Sequence, residues 1–334
     1  MKQYVAILIL FTFSLPGFAK NPHYEYYRLG SDDIVTETTK ATVLMGGTEY
    51  VTEAFEWMCS KSGKGDFLVL RARGTDEDNA FIKSLPGCTG QNSVSTLIIP
   101  SVEAANNDDL EAIINTAEAI FIEGGDQSDY IKYWTDTILH RALKKRVSEQ
   151  GIPIGGISAG LDVLTQFIYS ALLSKGVTSS QALADPFNKY ATLDNTFNLN
   201  LPFLQGIIGD AHMQARDRMG RDVAFLCRIY DSGWLEPGTL PRGISVDEKT
   251  ALLIDELGKA TALGIGNVYF LQATGAPEVC QSKTPLTYKN IHVDRISANG
   301  HFDLSSWTNI TGSEYFVSVE DGTLISYQTG GSPY

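Results

Sequence analysis

The chain has 334 residues, enough for one large domain or two ordinary ones, and 43% of them are hydrophobic, which excludes a disordered chain. Its 39 acidic and 26 basic residues leave a formal charge of −13, which argues against a nucleic-acid backbone as partner. A cationic or neutral ligand is easier to attract, although an acidic surface also serves solubility alone.

The chain opens with Met1-Lys2-Gln3, an apolar run from Tyr4 to Leu15, and Pro16-Gly17-Phe18-Ala19, the pattern of a signal peptide cleaved after Ala19. The run is shorter than the roughly 20 residues of a membrane span, and no later run reaches that length. An exported protein, periplasmic or extracellular and without a membrane span, is expected. Residues 20–40 form a polar lead, and residues 41–334 read as a single α/β domain with a C-terminal antiparallel extension.

From Thr42 the chain alternates strand and helix patterns. Thr42 to Met45 reads as a strand, Glu53 to Met58 as a helix, and Phe67 to Leu70 as a strand. Asn79 to Ser84 is helical, Ser95 to Ile99 a strand, Asp108 to Ala117 a helix, and Ala119 to Ile122 a strand. A long amphipathic helix, Asp129 to Glu149, precedes the strand Ile152 to Ile157. This order predicts a mainly parallel sheet with helices on both faces, with ligand sites at the carboxyl ends of the strands. Gly46-Gly47, Gly124-Gly125 and Gly155-Gly156 fall at such ends. Thr178 to Leu204 reads as a long loop, Ile207-Ile208 as a strand, and Met213 to Tyr230 as a helix. Gly243 to Asp247, Ala251 to Ile254 and Gly266 to Leu271 read as antiparallel strands extending the same sheet.

The stretch Gly156-Ile157-Ser158-Ala159-Gly160, followed by the apolar helix-like run Leu161 to Leu173, has the strand–turn–helix form of a nucleophile elbow. Glycines two residues either side of Ser158 relieve the crowding of a sharp turn, and the Ala159 N–H would face an oxyanion. Five histidines could serve as base: His23, His140, His212, His292 and His301. His212 alone follows a strand and precedes a helix as Ser158 does, which brings both to one rim. Arg216, Arg218 and Arg221 follow at spacings that do not all share one helix face; ion pairing with the chain's many acids is the favoured role, while a guanidinium fork also suits a substrate carboxylate. Cys59, Cys88, Cys227 and Cys280 lack C-x-x-C spacing, which argues against zinc or a dithiol site. Up to two disulfides are allowed, and Cys227, in the run Val223 to Cys227, reads as a buried free thiol.

Three motifs together carry a resemblance: Phe121 to Gln127, Gly155 to Gly160, and Asp210 to Arg221, with Val246-Asp247-Glu248-Lys249-Thr250-Ala251 matching a further recurrent segment. The chain resembles the cyanophycinase and aspartyl-dipeptidase family of serine peptidases over roughly Val43 to Leu271. The resemblance implies a three-layer αβα sandwich, flavodoxin-like and close to the class I glutamine amidotransferases, with serine in place of their cysteine. It implies Ser158 as nucleophile, His212 as base, and the N–H groups of Gly125 and Ala159 as oxyanion hole. Gln127 would hold the substrate's aspartyl end, with Arg216 and Arg218 facing substrate. Asp126, Asp210 and Arg221 stand in the same motifs as candidate substrate contacts. Gln181 stands where a glutamate would complete the triad; Asp185 is the nearest substitute and Asp210 a third. The implied reaction is cleavage at aspartyl residues, such as the β-Asp-Arg units of cyanophycin, without metal or cofactor. Peptide or arginine-rich polypeptide substrates and a homodimer are the implied partners. An α-aspartyl dipeptidase, or a silent binding protein on the same scaffold, are the alternatives.

Overall fold

The computed structural model describes residues 23–173 and 175–334. The expected signal peptide, residues 1–19, lies outside the described residues. Two large sheets organise the rest. The first has ten strands in the spatial order β1 (Glu25–Gly30), β4 (Ser93–Ile98), β3 (Asp66–Arg71), β5 (Ala119–Ile122), β6 (Ile154–Ile157), β2 (Thr42–Met45), β11 (Thr250–Ile254), β12 (Lys259–Gly264), β15 (His301–Asp303) and β16 (Thr308–Asn309). The second runs β18 (Thr323–Ser326), β17 (Ser313–Glu320), β14 (Tyr288–Ser297), β13 (Asn267–Gln272), β10 (Arg242–Val246) and β9 (Ile207–Asp210), and a small pair joins β7 (Ile168–Tyr169) to β8 (Leu193–Asp194).

The first sheet is parallel only in its centre, from β4 through β3, β5 and β6 to β2, and antiparallel on both flanks. It is therefore mixed, not mainly parallel as the alternation predicts. Its central strands are buried on both faces: Phe67 and Val69 pack with Phe55 and Met58, whereas Leu68 and Leu70 pack with Ile120 and Trp134 on the other side. That explains the unbroken apolar runs, since a strand covered on both faces has no polar side.

Nine α-helices are described: α1 (Thr52–Lys61), α2 (Glu77–Ser84), α3 (Val102–Ala105), α4 (Asp109–Asn115), α5 (Gln127–Trp134), α6 (Ile138–Lys144), α7 (Ala159–Asp162), α8 (Ser179–Ala184) and α9 (Met219–Ser232). Several differ from expectation. The polar lead is partly a strand, because β1 pairs antiparallel with β4 at the sheet edge. The long helix breaks at Thr135–Thr137, where Asp136 takes φ 59° and Thr137 caps α6 by accepting from the His140 N–H. After Ser158 the helix ends at Asp162, and the apolar run continues into β7; a short apolar run does not separate buried helix from buried strand. The loop after Thr178 contains α8, and the helix expected from Met213 begins only at Met219, after a turn in which Asp217 has φ 49°. The C-terminal strands divide between both sheets.

Both cysteine pairs are disulfides, Cys59 with Cys88 and Cys227 with Cys280, so Cys227 is not a free thiol. The expectation rested on its apolar run, but a loop residue, Cys280, reaches α9 from another part of the chain.

The turn after β6 depends on close backbone approach. A Cβ on Gly160 would lie 2.0 Å from the Ile122 carbonyl oxygen, and one on Gly156 2.4 Å from that of Gly160. Gly160→Ala is therefore expected to destabilise the fold by about 1–3 kcal/mol, read as a lower urea midpoint at unchanged m-value.

Candidate functional site

Ser158 sits where β6 passes into α7, with φ 53° and ψ −116°, a conformation few L-residues adopt without local support. Its backbone N–H donates to the Met45 carbonyl, which ties the turn to β2. The resulting geometry turns the side chain outward at the carboxyl end of the parallel strands. Ala159 N is the first amide of α7, and Gly125, at φ 151°, stands at the end of β5 nearby in the sheet order.

His212 follows β9 and is also left-handed, at φ 51°. Its backbone N–H donates to the Gly46 carbonyl, and a Cβ on Gly47 would lie 2.4 Å from its ring. Glycine at position 47 is thus what leaves room for the imidazole. His212 Nε2 lies 2.7 Å from Ser158 Oγ, and its Nδ1 lies 2.7 Å from Glu248 Oε1. The three side chains form one hydrogen-bonded chain.

Glu248 occupies the three-residue connection between β10 and β11. Asp247 fixes that connection: its carboxylate accepts from the Gln214 and Asn267 N–H groups, each at 2.9 Å. None of the three residues proposed from sequence to orient the imidazole does so. Gln181 caps α8, its side chain accepting from the Thr178 N–H. Asp185 accepts from the Phe187 and Lys283 N–H groups. Asp210 is buried in a bidentate pair with Arg221 and a further pair with Arg218. The signal that could have found Glu248 is its segment, Val246 to Ala251, which the motif resemblance already includes.

The arginine cluster divides by role. Arg218 Nη1 donates to Asp210 and to the Ala211 carbonyl, and Arg221 is buried over the Tyr169 ring. Arg216 is the exposed member, with its Nε 3.9 Å from Glu248 Oε1. Together with Gln127, Gly125 and Lys175 they line a cavity of about 280 Å³ with strong cationic character. Asp126 caps α5 at its rim, accepting from the Ser128 N–H, and Gln127 Nε2 donates to Asp162 and to the Tyr169 carbonyl. Asp210 is therefore a buried support for the arginines and has no exposed face for a ligand. Burial alone would raise its carboxyl, but Arg218 and Arg221 outweigh this and hold it well below the usual range. Asp162 shows the opposite balance: burial and the neighbouring Asp210 push it up to about 7.

A second cavity, about 490 Å³, is lined by Ser158 itself together with Glu49, Tyr50, Phe81 and Glu123. The Tyr50 hydroxyl lies 2.7 Å from Asp78 and 2.8 Å from Glu123. Its single proton serves one carboxylate. Burial pushes Glu123 up to about 7, so its carboxyl can hold a proton and donate back to Tyr50.

Burial lowers the His212 imidazole from its ordinary 6.5; the Glu248 contact opposes this, and the Arg216 and Arg218 charges reinforce it. The neutral ring, the form that can accept a proton, is then present above a midpoint that lies below 6.5. In an NMR titration of the His212 ring, that midpoint is expected to rise in Arg216→Ala, because a cation disfavouring imidazolium has been removed.

Residues 39–185 match the family model of peptidase family S51, a segment that includes Ser158 and ends before His212. The cyanophycinase of Nostoc sp. strain PCC 7120 is 27% identical over 220 residues, covering 64% of this chain and 66% of that protein. The cyanophycinase of Geminocystis herdmanii is 26% identical over 199 residues, covering 58% and 64%. The matched regions thus span just under two thirds of these relatives' lengths. Among solved structures, a peptidase from an acI-B1 Actinobacterium superposes with a TM-score of 0.52 at 15% identity, over 80% of this chain and 98% of that one. This likeness is one of fold: an α/β arrangement with a large mixed sheet and helices. Among the described residues, no helix is long and apolar enough to cross a membrane.

Proposed function

Starting from the chain's resemblance to peptidase family S51, we propose that it is a serine peptidase acting at aspartyl residues, with Ser158 as nucleophile, His212 as base and Glu248 as the group that orients the base. The observation that carries this reading is the unbroken chain Ser158–His212–Glu248, with both contacts at 2.7 Å. In such a chain the carboxylate holds the imidazole proton on Nδ1, so that Nε2 can accept. Ser158 Oγ attacks the scissile carbonyl carbon while its proton passes to His212 Nε2. The tetrahedral oxyanion is met by the N–H groups of Ala159 and Gly125 in a nucleophile elbow of the amidotransferase-like type. His212 then gives the proton to the leaving amine, and water, deprotonated by the same ring, releases the acyl group.

The two cavities suit the two halves of an aspartyl-arginyl substrate. The cationic cavity, with Arg216, Arg218 and Gln127, complements the carboxylate of the aspartyl part. The other offers Glu49 and the Tyr50 and Phe81 rings, a setting for a guanidinium. Cyanophycin, with β-Asp-Arg units, fits both. Because the three proposed catalytic groups come from both large sheets, residues 41–334 act as one domain, to whose first sheet β1 of the polar lead adds an edge strand. The expected leader and two disulfides support export; a homodimer is supported by the family resemblance alone.

The test is incubation of the mature protein with cyanophycin, β-Asp-Arg and α-Asp-Arg, with products identified by mass. Release of β-Asp-Arg from the polymer is the expected result. Cleavage of a dipeptide alone would keep the chemistry and make the protein a dipeptidase. Turnover of none would overturn the peptidase reading in favour of a binding role.

A further inference from the structure

A third cavity, about 580 Å³, lies at the opposite end of β9 and β10 from Ser158. Gly206, just before β9, and Arg242, the first residue of β10, line it, whereas His212 lies beyond the far end of β9. Four strand residues separate the two ends, about 13 Å. The cavity is therefore a different place from the site described above.

Its chemistry centres on Arg242. The guanidinium stacks on the Trp307 ring at 4.6 Å, and among the described residues it has neither a carboxylate within ion-pair distance nor a hydrogen bond from its fork. Burial lowers its pKa. In a chain of charge −13 a half-buried guanidinium left without an acid is unexpected, because burying a charge without a partner costs stability. Glu236 stands on the rim, exposed and out of ion-pair reach.

Neutral donors converge on the same place. Gln272 is the direct cross-strand partner of Arg242, so both side chains leave the same face of the sheet. Gln166 uses its Oε1 to accept from the Gly206 N–H at 2.6 Å, which leaves its amide hydrogens for another acceptor. The remaining wall combines Gln205 and Thr239 with an apolar patch made of Trp234, held against Phe167 at 5.8 Å, Leu235 and Leu240.

We propose that this cavity is a binding site for a carboxylate carried on an apolar or aromatic group, with the carboxylate on Arg242 and the amides of Gln272 and Gln166, and the apolar part on Trp234. A planar fork backed by a ring and flanked by amide donors matches a carboxylate in geometry as well as charge. The ligand is either a free acid or the C-terminal residue of a peptide, which share this chemistry.

The experiment is calorimetric titration of the full-length mature protein with N-acetyl-L-phenylalanine, 3-phenylpropionate and N-acetyl-L-phenylalaninamide. Both acids are expected to bind, and the amide at least about tenfold more weakly, since it lacks the charge. Preference for the acetylated acid marks a peptide end, and equal binding marks a free acid; either supports the site. Arg242→Gln is expected to weaken acid binding at least about tenfold and Gln272→Ala to weaken it less, while turnover at Ser158 is unchanged. The Gln272 variant keeps the test decisive should Arg242→Gln fold poorly. Binding must persist when Ser158 carries a covalent phosphonate. Equal affinity for the amide, unaltered binding in both variants, loss on phosphonylation, or no saturation by about 10 mM acid would each overturn the proposal.

Discussion

Ser158→Ala is expected to lower kcat/KM for aspartyl-peptide cleavage about 10⁶-fold, a loss of about 8 kcal/mol of transition-state stabilisation. The size follows from what the hydroxyl does in the proposed mechanism. It forms the covalent bond, and without it His212 and Glu248 have no proton to move, so the rest of the chain contributes nothing on its own. What persists would be the rate left by the oxyanion donors and by substrate binding. Stability should scarcely change, because alanine tolerates φ 53° no worse than serine and the side chain lost is only partly buried, with one hydrogen bond. Rate measurement with β-Asp-Arg, paired with a thermal melt, separates the two effects. A variant retaining a tenth of the wild-type rate would remove Ser158 from the mechanism.

Glu248→Gln should cost about 10⁴-fold in kcat, close to 5 kcal/mol, with little change in KM. The replacement is nearly isosteric, so it tests charge and tautomer more than packing. A carboxylate beside Nδ1 can only accept, which places the ring proton there and leaves Nε2 free to take the Ser158 proton. An amide can donate to Nδ1 instead, which fixes the proton on Nε2 and disables the base; it also fails to stabilise the imidazolium formed during attack. Gln181→Ala is the matched control. Its side chain caps α8 and does not meet His212, so its kcat should stay within about twofold of wild type. If the two variants exchanged behaviour, the third member would be Gln181 after all.

The parts of this site legible in the sequence are those imposed by local backbone geometry. A serine in a sharp turn between a buried strand and a helix demands glycines at positions 156 and 160, and both lie within 2.4 Å of a colliding atom once a Cβ is added. His212 was found by the same logic, from its place just past a strand. Glu248 was not, because Asp247-Glu248-Lys249 reads as an ordinary polar turn and its partner lies 36 residues earlier. The second sheet was hidden for a related reason. Two strands joined by three residues suggest a hairpin, yet β10 pairs with β9 and β13 while β11 pairs with β2 and β12. Period-two patterning marks a strand without naming its neighbours. Likewise the apolar setting of Cys227 was correct, and only the distant Cys280 decided its bonding.

That crossing from one sheet to the other has a consequence for when the protein becomes reactive. Ser158 belongs to the first sheet and His212 to the end of the second, and Glu248 rides on the short segment that leaves one for the other. During synthesis the serine emerges long before the glutamate, on a turn that can form with its own strands. Until the last third of the chain has docked, the hydroxyl has no oriented base and remains as inert as any other serine. On the proposed mechanism the ordering of the polypeptide would act as a safety catch: competence to cut peptides would arrive only with completion of the fold.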